Sequence, residues 1–125
     1  MSYTGIVQYP DPSYSNVRRW PRYKLDLPVR VIAEKDDKTI IVQGRGNELN
    51  QGGLAIFAGV ELRENDVCAV EFTPPYSGCP VRVRCTVRNR SGYNYGVEFL
   101  IEDEDDAENA AEIASLLKAF ATGRM

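Results

Sequence analysis

Val81, Val83, Cys85 and Val87 alternate without a break with Arg82, Arg84, Thr86 and Arg88. Apolar side chains at every second position describe a strand with one face in a core and the other towards water. Leu27, Val29, Val31 and Ala33 repeat the pattern against Pro28, Arg30, Ile32 and Glu34. Two half-buried strands need further strands to complete the sheet whose inner face they form. The intervening sequence supplies them.

Lys35-Asp36-Asp37-Lys38 reads as a polar hairpin turn, and Thr39 to Gln43 as the second strand. Gly44, Gly46, Gly52 and Gly53 then loosen the chain before a short third strand, Leu54 to Phe57. Ala58 to Asp66 is a polar connection. Val67 to Phe72 is the fourth strand, with Cys68, Val70 and Phe72 on one face. The segment from Pro74 to Gly78 is a loop, because proline lacks the donor a ladder needs. The arginine-bearing strand is the fifth. After a turn from Asn89 to Asn94, the sixth runs from Tyr95 to Ile101, with Tyr95, Val97 and Phe99 inward. The acidic run Glu102 to Asp106 precedes a helix, whose Ile113, Leu116, Leu117 and Phe120 form one apolar stripe for the sheet or a partner. Acids at its start and Lys118 and Arg124 near its end complement the helix dipole, and Gly123 is a stop. Six short, evenly spaced strands followed by one helix predict a mainly β protein, a small antiparallel barrel with a C-terminal helix. The expected division is an irregular tail over 1–17, a barrel over 18–101 including its lead-in, and an acidic segment and helix over 102–125.

A length of 125 residues suits one domain with one core. No apolar run approaches the ~18 residues of a membrane span, and Met1 to Pro10 lacks the basic start and apolar centre of a signal peptide. The expected location is cytoplasmic. The three cysteines, Cys68, Cys79 and Cys85, have spacings of 11 and 6, which match no zinc pattern, and there is no histidine. Cys68 and Cys85 fall on apolar strand phases and read as buried thiols. Without histidine the commonest general base is missing, and no catalytic constellation is visible. We expect no enzyme, no metal and no cofactor. The net charge is −3, but residues 102–112 hold seven of the 18 acids and no base; removing them leaves 11 acids against 15 bases, a balance of +4. The rest of the chain can therefore serve an anion.

Two stretches carry the functional signal. Arg18-Arg19-Trp20-Pro21-Arg22 places three arginines just before the first strand, where Pro21 biases Trp20 towards extended backbone. Glu48-Leu49-Asn50-Gln51-Gly52-Gly53 places an acid, an amide and a double glycine between the second and third strands. With both placed, the chain resembles a PilZ domain. Arg18 and Arg22 match that family's RxxxR motif, and Arg19 fits the doubled arginine often found there. The family's [D/N]xSxxG motif maps onto Glu48 to Gly53, with Glu48 at the Asp or Asn, Asn50 at the Ser and Gly53 at the closing glycine. Gly96-Val97-Glu98-Phe99 is similar to the family's last strand. The likeness covers residues 18 to 101.

This resemblance implies a six-stranded PilZ-type β-barrel and a bacterial signalling receptor or adaptor for cyclic di-GMP. The implied ligand-binding residues are Arg18, Arg19, Arg22, Glu48, Asn50, Gly52 and Gly53. Their chemistry suits the ligand. A guanidinium fork matches phosphate and the guanine O6/N7 edge. A carboxylate, which only accepts, matches the guanine N1–H and N2–H₂ donors, and an asparagine donates and accepts as a serine does. On this reading the arginine segment folds over the barrel face when ligand binds. An alternative is a degenerate PilZ interaction module that takes no nucleotide, with the helix stripe around Ile113 to Phe120 as its partner surface. The substitutions at Glu48 and Asn50 favour it, and the three arginines argue against it. General nucleic-acid binding, with Trp20 and Tyr23 as stacking platforms, is disfavoured by the acidic C-terminal segment. Arg82, Arg84 and Arg88 read as a solvated strand face, one of which could line the ligand face without the sequence saying which, and the acidic run reads as helix-start electrostatics. A downstream protein partner is expected; its identity is not legible.

Overall fold

The first strand follows its alternation. In β1 (Tyr23–Lys35), Leu25, Leu27, Val29, Val31 and Ala33 are buried, while Lys24, Asp26, Pro28, Arg30 and Glu34 are exposed. The chain is described here from a computed structural model over residues 22–50, 52–74 and 78–123. β1 reverses into β2 (Lys38–Asn50) through Asp36 and Asp37, with φ of 52° and 61°. Positive φ at both central residues is the hairpin geometry that matches strand twist, and Asp tolerates it. The other strands are β3 (Gly53–Ala58), β4 (Val67–Phe72), β5 (Val81–Ser91) and β6 (Asn94–Phe99).

All neighbouring pairs are antiparallel, and the order β1-β2-β3-β6-β5-β4 closes on itself through β4 and β1. The inward residues of all six strands fill one core, with Val31, Ile56, Val70, Cys85 and Val87 shut off from solvent. Tyr95 shows how polar groups are admitted there. It is buried, and its hydroxyl donates to the Val60 carbonyl at 2.7 Å and accepts from the Leu62 amide at 3.0 Å. A buried hydroxyl without such partners would cost about 1–3 kcal/mol.

Several strand limits differ from the sequence expectation. β2 does not stop at Gln43 but continues through Gly44 and Gly46 to Asn50, because those residues pair with β1 on one side and β3 on the other. Ladder pairing on both edges overrides the weak strand preference of glycine. Likewise β5 runs on to Ser91 opposite Asn94, leaving only Gly92 and Tyr93 to turn. The sixth strand ends at Phe99, two residues before its expected limit.

The helix α1 (Glu104–Ala121) starts inside the acidic run, not after it. Asp103 is its N-cap, accepting from the Asp106 amide at 2.8 Å. Asp106 does more than complement a dipole. Its two carboxylate oxygens take Arg84 Nη2 at 2.6 Å and Nε at 3.1 Å, and Glu102 takes Nη2 at 3.0 Å. The arginines of β5 do face outward, but not merely into solvent: Arg82 also pairs with Glu71, and Arg88 with Glu98. The helix packs mainly on β5 and β1. Ile113 and Leu117 are buried, Leu116 is half-buried, and Phe120 meets Phe72 edge-on at 6.3 Å. Ile113 and Leu117 of the stripe are therefore spent on the barrel, while Phe120 remains exposed. Among the described residues no helix is long and apolar enough to cross a membrane.

The Arg84 hydrogen bonds, with a smaller contribution from the Glu102 amide, hold the Asp106 carboxyl below its ordinary range. The unfolded chain then takes up that proton more readily than the folded one, so this contribution is present above pH ~4 and lost as pH falls further. Asp106→Asn should lower the thermal midpoint at pH 7 and flatten its decline between neutral and acidic pH. A decline as steep as wild type, followed by circular dichroism, would remove Asp106 from the acid response.

Candidate functional site

The ladder itself brings Arg22, the last residue of the first motif, beside the second. Tyr23 lies opposite Leu49 and Lys24 opposite Glu48, so the chain enters β1 beside the end of β2. Arg22, the residue just before β1, donates from Nη1 to Glu48 Oε1 at 3.1 Å. Both side chains keep contact with solvent. Exposed ion pairs contribute roughly 0–1 kcal/mol, so this one is easily exchanged for a better acceptor. Arg18 and Arg19 lie outside the described residues, as does Gln51. Tyr23 is in turn held from the far side, with Lys118 Nζ of α1 5.7 Å from its ring centroid.

β2 passes to β3 with Asn50 opposite Gly53, and Gly52 takes up the reversal at a φ of 85°. Gly53 has a different reason to be glycine. A Cβ there would run into the Val97 carbonyl oxygen of β6. The corner is fastened across the barrel by the Phe99 amide, which donates to the Gly52 carbonyl at 2.7 Å.

Over this corner lies an open groove of about 310 Å³, bordered by Asn50, Gly52 and Gly53 on one side and Arg88, Asn89 and Glu98 on the other. That is at the lower end of the ~300–1,000 Å³ of small-molecule sites. Of the residues singled out from sequence, Asn50, Gly52 and Gly53 border the groove, while Arg22 and Glu48 stand together beside it. Arg88, Asn89 and Glu98 were not singled out. Arg88 was one of three alike arginines on a strand face, and nothing local distinguishes it; only the β5–β6 and β6–β3 pairings bring it here.

The interior offers no nucleophile to set against this groove. Burial pushes the Cys68 thiol up to about 11, and burial pushes Cys85 higher still, so both stay protonated at neutral pH.

Comparison with known proteins gives a consistent picture. The model of one family, the PilZ domain, matches residues 16–118. Among solved structures, the chain is similar to the PilZ domain of CeSA from a cellulose synthesizing bacterium. The two are 18% identical with a TM-score of 0.63, and the alignment covers 78% of this chain and 98% of the other. At that identity the likeness concerns the fold. No curated protein matches.

The two glycines of the corner should respond differently to alanine. Gly53→Ala forces the β3 and β6 backbones apart and should cost several kcal/mol, among the large effects reserved for overpacking. Gly52→Ala meets nothing within 4 Å and carries only the strain of positive φ, about 1–3 kcal/mol. Urea unfolding of both variants checks the order; equal losses would mean that the Val97 contact relaxes freely.

Proposed function

The chain belongs to the PilZ domain family, and from that membership we propose that it binds cyclic di-GMP as a signalling receptor or adaptor in the bacterial cytoplasm. The observation that carries this reading is the meeting of Arg22 with Glu48 beside the diglycine corner. The ligand brings two phosphates and two guanines. Arg18, Arg19 and Arg22 supply the forks for phosphate and for the guanine O6/N7 edge. Glu48 and Asn50 supply the acceptors and donors for a guanine edge. Gly52 and Gly53 leave the backbone open to close approach.

Binding then requires Arg22 to give up or share Glu48. Magnitudes favour the exchange. A charge-assisted hydrogen bond contributes about 1.5–3 kcal/mol, against roughly 0–1 kcal/mol for the exposed pair it replaces. The arginine segment closes over the barrel face as it engages the phosphates, and that rearrangement is the signal passed to a downstream protein partner. Trp20 is the chain's single tryptophan and lies inside the segment, so its emission reports the closure.

The same ion pair also favours a second reading, a PilZ interaction module that binds no nucleotide, in which Glu48 permanently neutralises Arg22. Calorimetric titration with cyclic di-GMP separates the two. Under the receptor reading, Arg18→Ala and Arg22→Ala each weaken binding by about 1–3 kcal/mol with little loss of fold. Glu48→Asp and Asn50→Ser preserve or tighten it, and Trp20 emission changes on saturation. No heat and no thermal shift at hundreds of micromolar ligand would leave the interaction module as the standing reading.

A further inference from the structure

The far wall of the groove has a chemistry of its own. Arg88 donates from Nε to Glu98 Oε1 at 2.7 Å and from Nη1 to Asn65 Oδ1 at 3.4 Å. Among the described residues its Nη2 takes no partner, and neither does Glu98 Oε2. The register of β5 and β6 shifts between Val87 and Asn89, which leaves Arg88 in a bulge. Bulges re-aim a side chain that a regular strand would direct elsewhere. The ladder also specifies what lies between this wall and Glu48 and Asn50. Glu48, Ala55, Gly96 and Asn89 form one row across four strands, and Asn50, Gly53, Glu98 and Thr86 form the next. The middle of each row holds small residues, Ala55 and Gly96 in one and Gly53 in the other, with the Asn89 side chain lying over Gly96 and accepting from its amide at 3.1 Å. β2 and β6 are two strand spacings apart, roughly 9–10 Å. The outer face of the barrel thus carries a low floor with a polar wall on each side, and an arginine–carboxylate pair stands in or beside each wall.

Resting on the cyclic di-GMP reading above, we propose that the Arg88–Glu98 pair reads a guanine base of the ligand, with Glu98 accepting from the guanine N1–H and N2–H₂ and Arg88 donating to O6. A phosphate does not fit this wall, because it would meet the Glu98 carboxylate together with the guanidinium. Adenine does not fit either, because it turns a lone pair at N1 towards an acceptor-only group. Guanine alone offers two adjacent donors beside an acceptor, the complement of a carboxylate beside a guanidinium. The pair thus confers base selectivity, where the arginines before β1 confer affinity for the phosphates.

The test is calorimetric titration of the wild-type chain, Glu98→Gln, Ala55→Leu and Arg22→Ala with cyclic di-GMP and with cyclic di-AMP, each variant first checked by thermal melting. Glu98→Gln keeps an oxygen for Arg88 but loses the carboxylate, and Ala55→Leu fills the floor from the outer face. The wild type should prefer the guanine ligand. Glu98→Gln should bind it about tenfold more weakly, ~1.4 kcal/mol, with the preference over cyclic di-AMP narrowed. Ala55→Leu should lose both ligands. If Glu98→Gln keeps wild-type affinity and preference while Arg22→Ala weakens binding, the base lies elsewhere and only this inference falls. Equal loss of both ligands in Glu98→Gln, or full binding by Ala55→Leu, overturns it as well. A wild type that binds neither nucleotide removes the receptor reading itself, and this inference with it.

Discussion

Everything in this molecule depends on β1 being paired along both edges, to β2 on one side and β4 on the other. That double pairing, with β4 held by Arg30 to Ala33, closes the sheet. It also determines where the functional residues sit. The β1–β2 pairing places the start of β1 against the end of β2, so Arg22, just before β1, stands at Glu48. The site is a consequence of the ladder, not an addition to it.

The outer face is held by charge where the inner face is held by burial. Arg30 and Arg82 grip the buried Glu71 from two sides, at 3.1 Å and 3.0 Å. Arg84 ties β5 to the first turn of α1, and Arg88 reaches Glu98. These bridges and the Arg22–Glu48 pair differ in what they do. Those at Glu71 and Asp106 have carboxylates withdrawn from water, where a lone charge would be costly, and they fasten strands and helix. The pairs at Glu48 and Glu98 keep contact with solvent, where an ion pair contributes little and is easily exchanged. Burial of the carboxylate thus separates the pairs that fasten strands and helix from those that stay in contact with solvent.

Much of this was legible from residues alone, for identifiable reasons. The alternations of β1 and β5, the Asp36-Asp37 turn and the Ile113–Leu117 face are local patterns, and each reappears in the fold. Both motifs could be found because each is contiguous. The errors are equally specific. β2 was cut short at Gly44 because glycine looks like a breaker until two neighbouring strands pair with it. The helix was started late because Asp103 and Asp106 look like solvent-facing charge until one caps the helix and the other meets Arg84. Of the helix stripe, the barrel takes Ile113 and Leu117 and leaves Phe120 exposed, which the spacing alone does not show.

By itself, the sequence determined which residues face in and which face out, how many strands there are, and which two segments resemble the motifs of the family. These follow from a two-residue period and from short motifs, both properties of neighbours along the chain. Only the tertiary structure decided that Gly53 lies opposite Glu98, that Arg88 stands in a bulge beside it, and that Arg22 already holds Glu48. Those facts depend on register between strands up to dozens of residues apart. Register is settled by the whole closed ladder at once, because shifting any strand by one residue would turn its core side chains out into water.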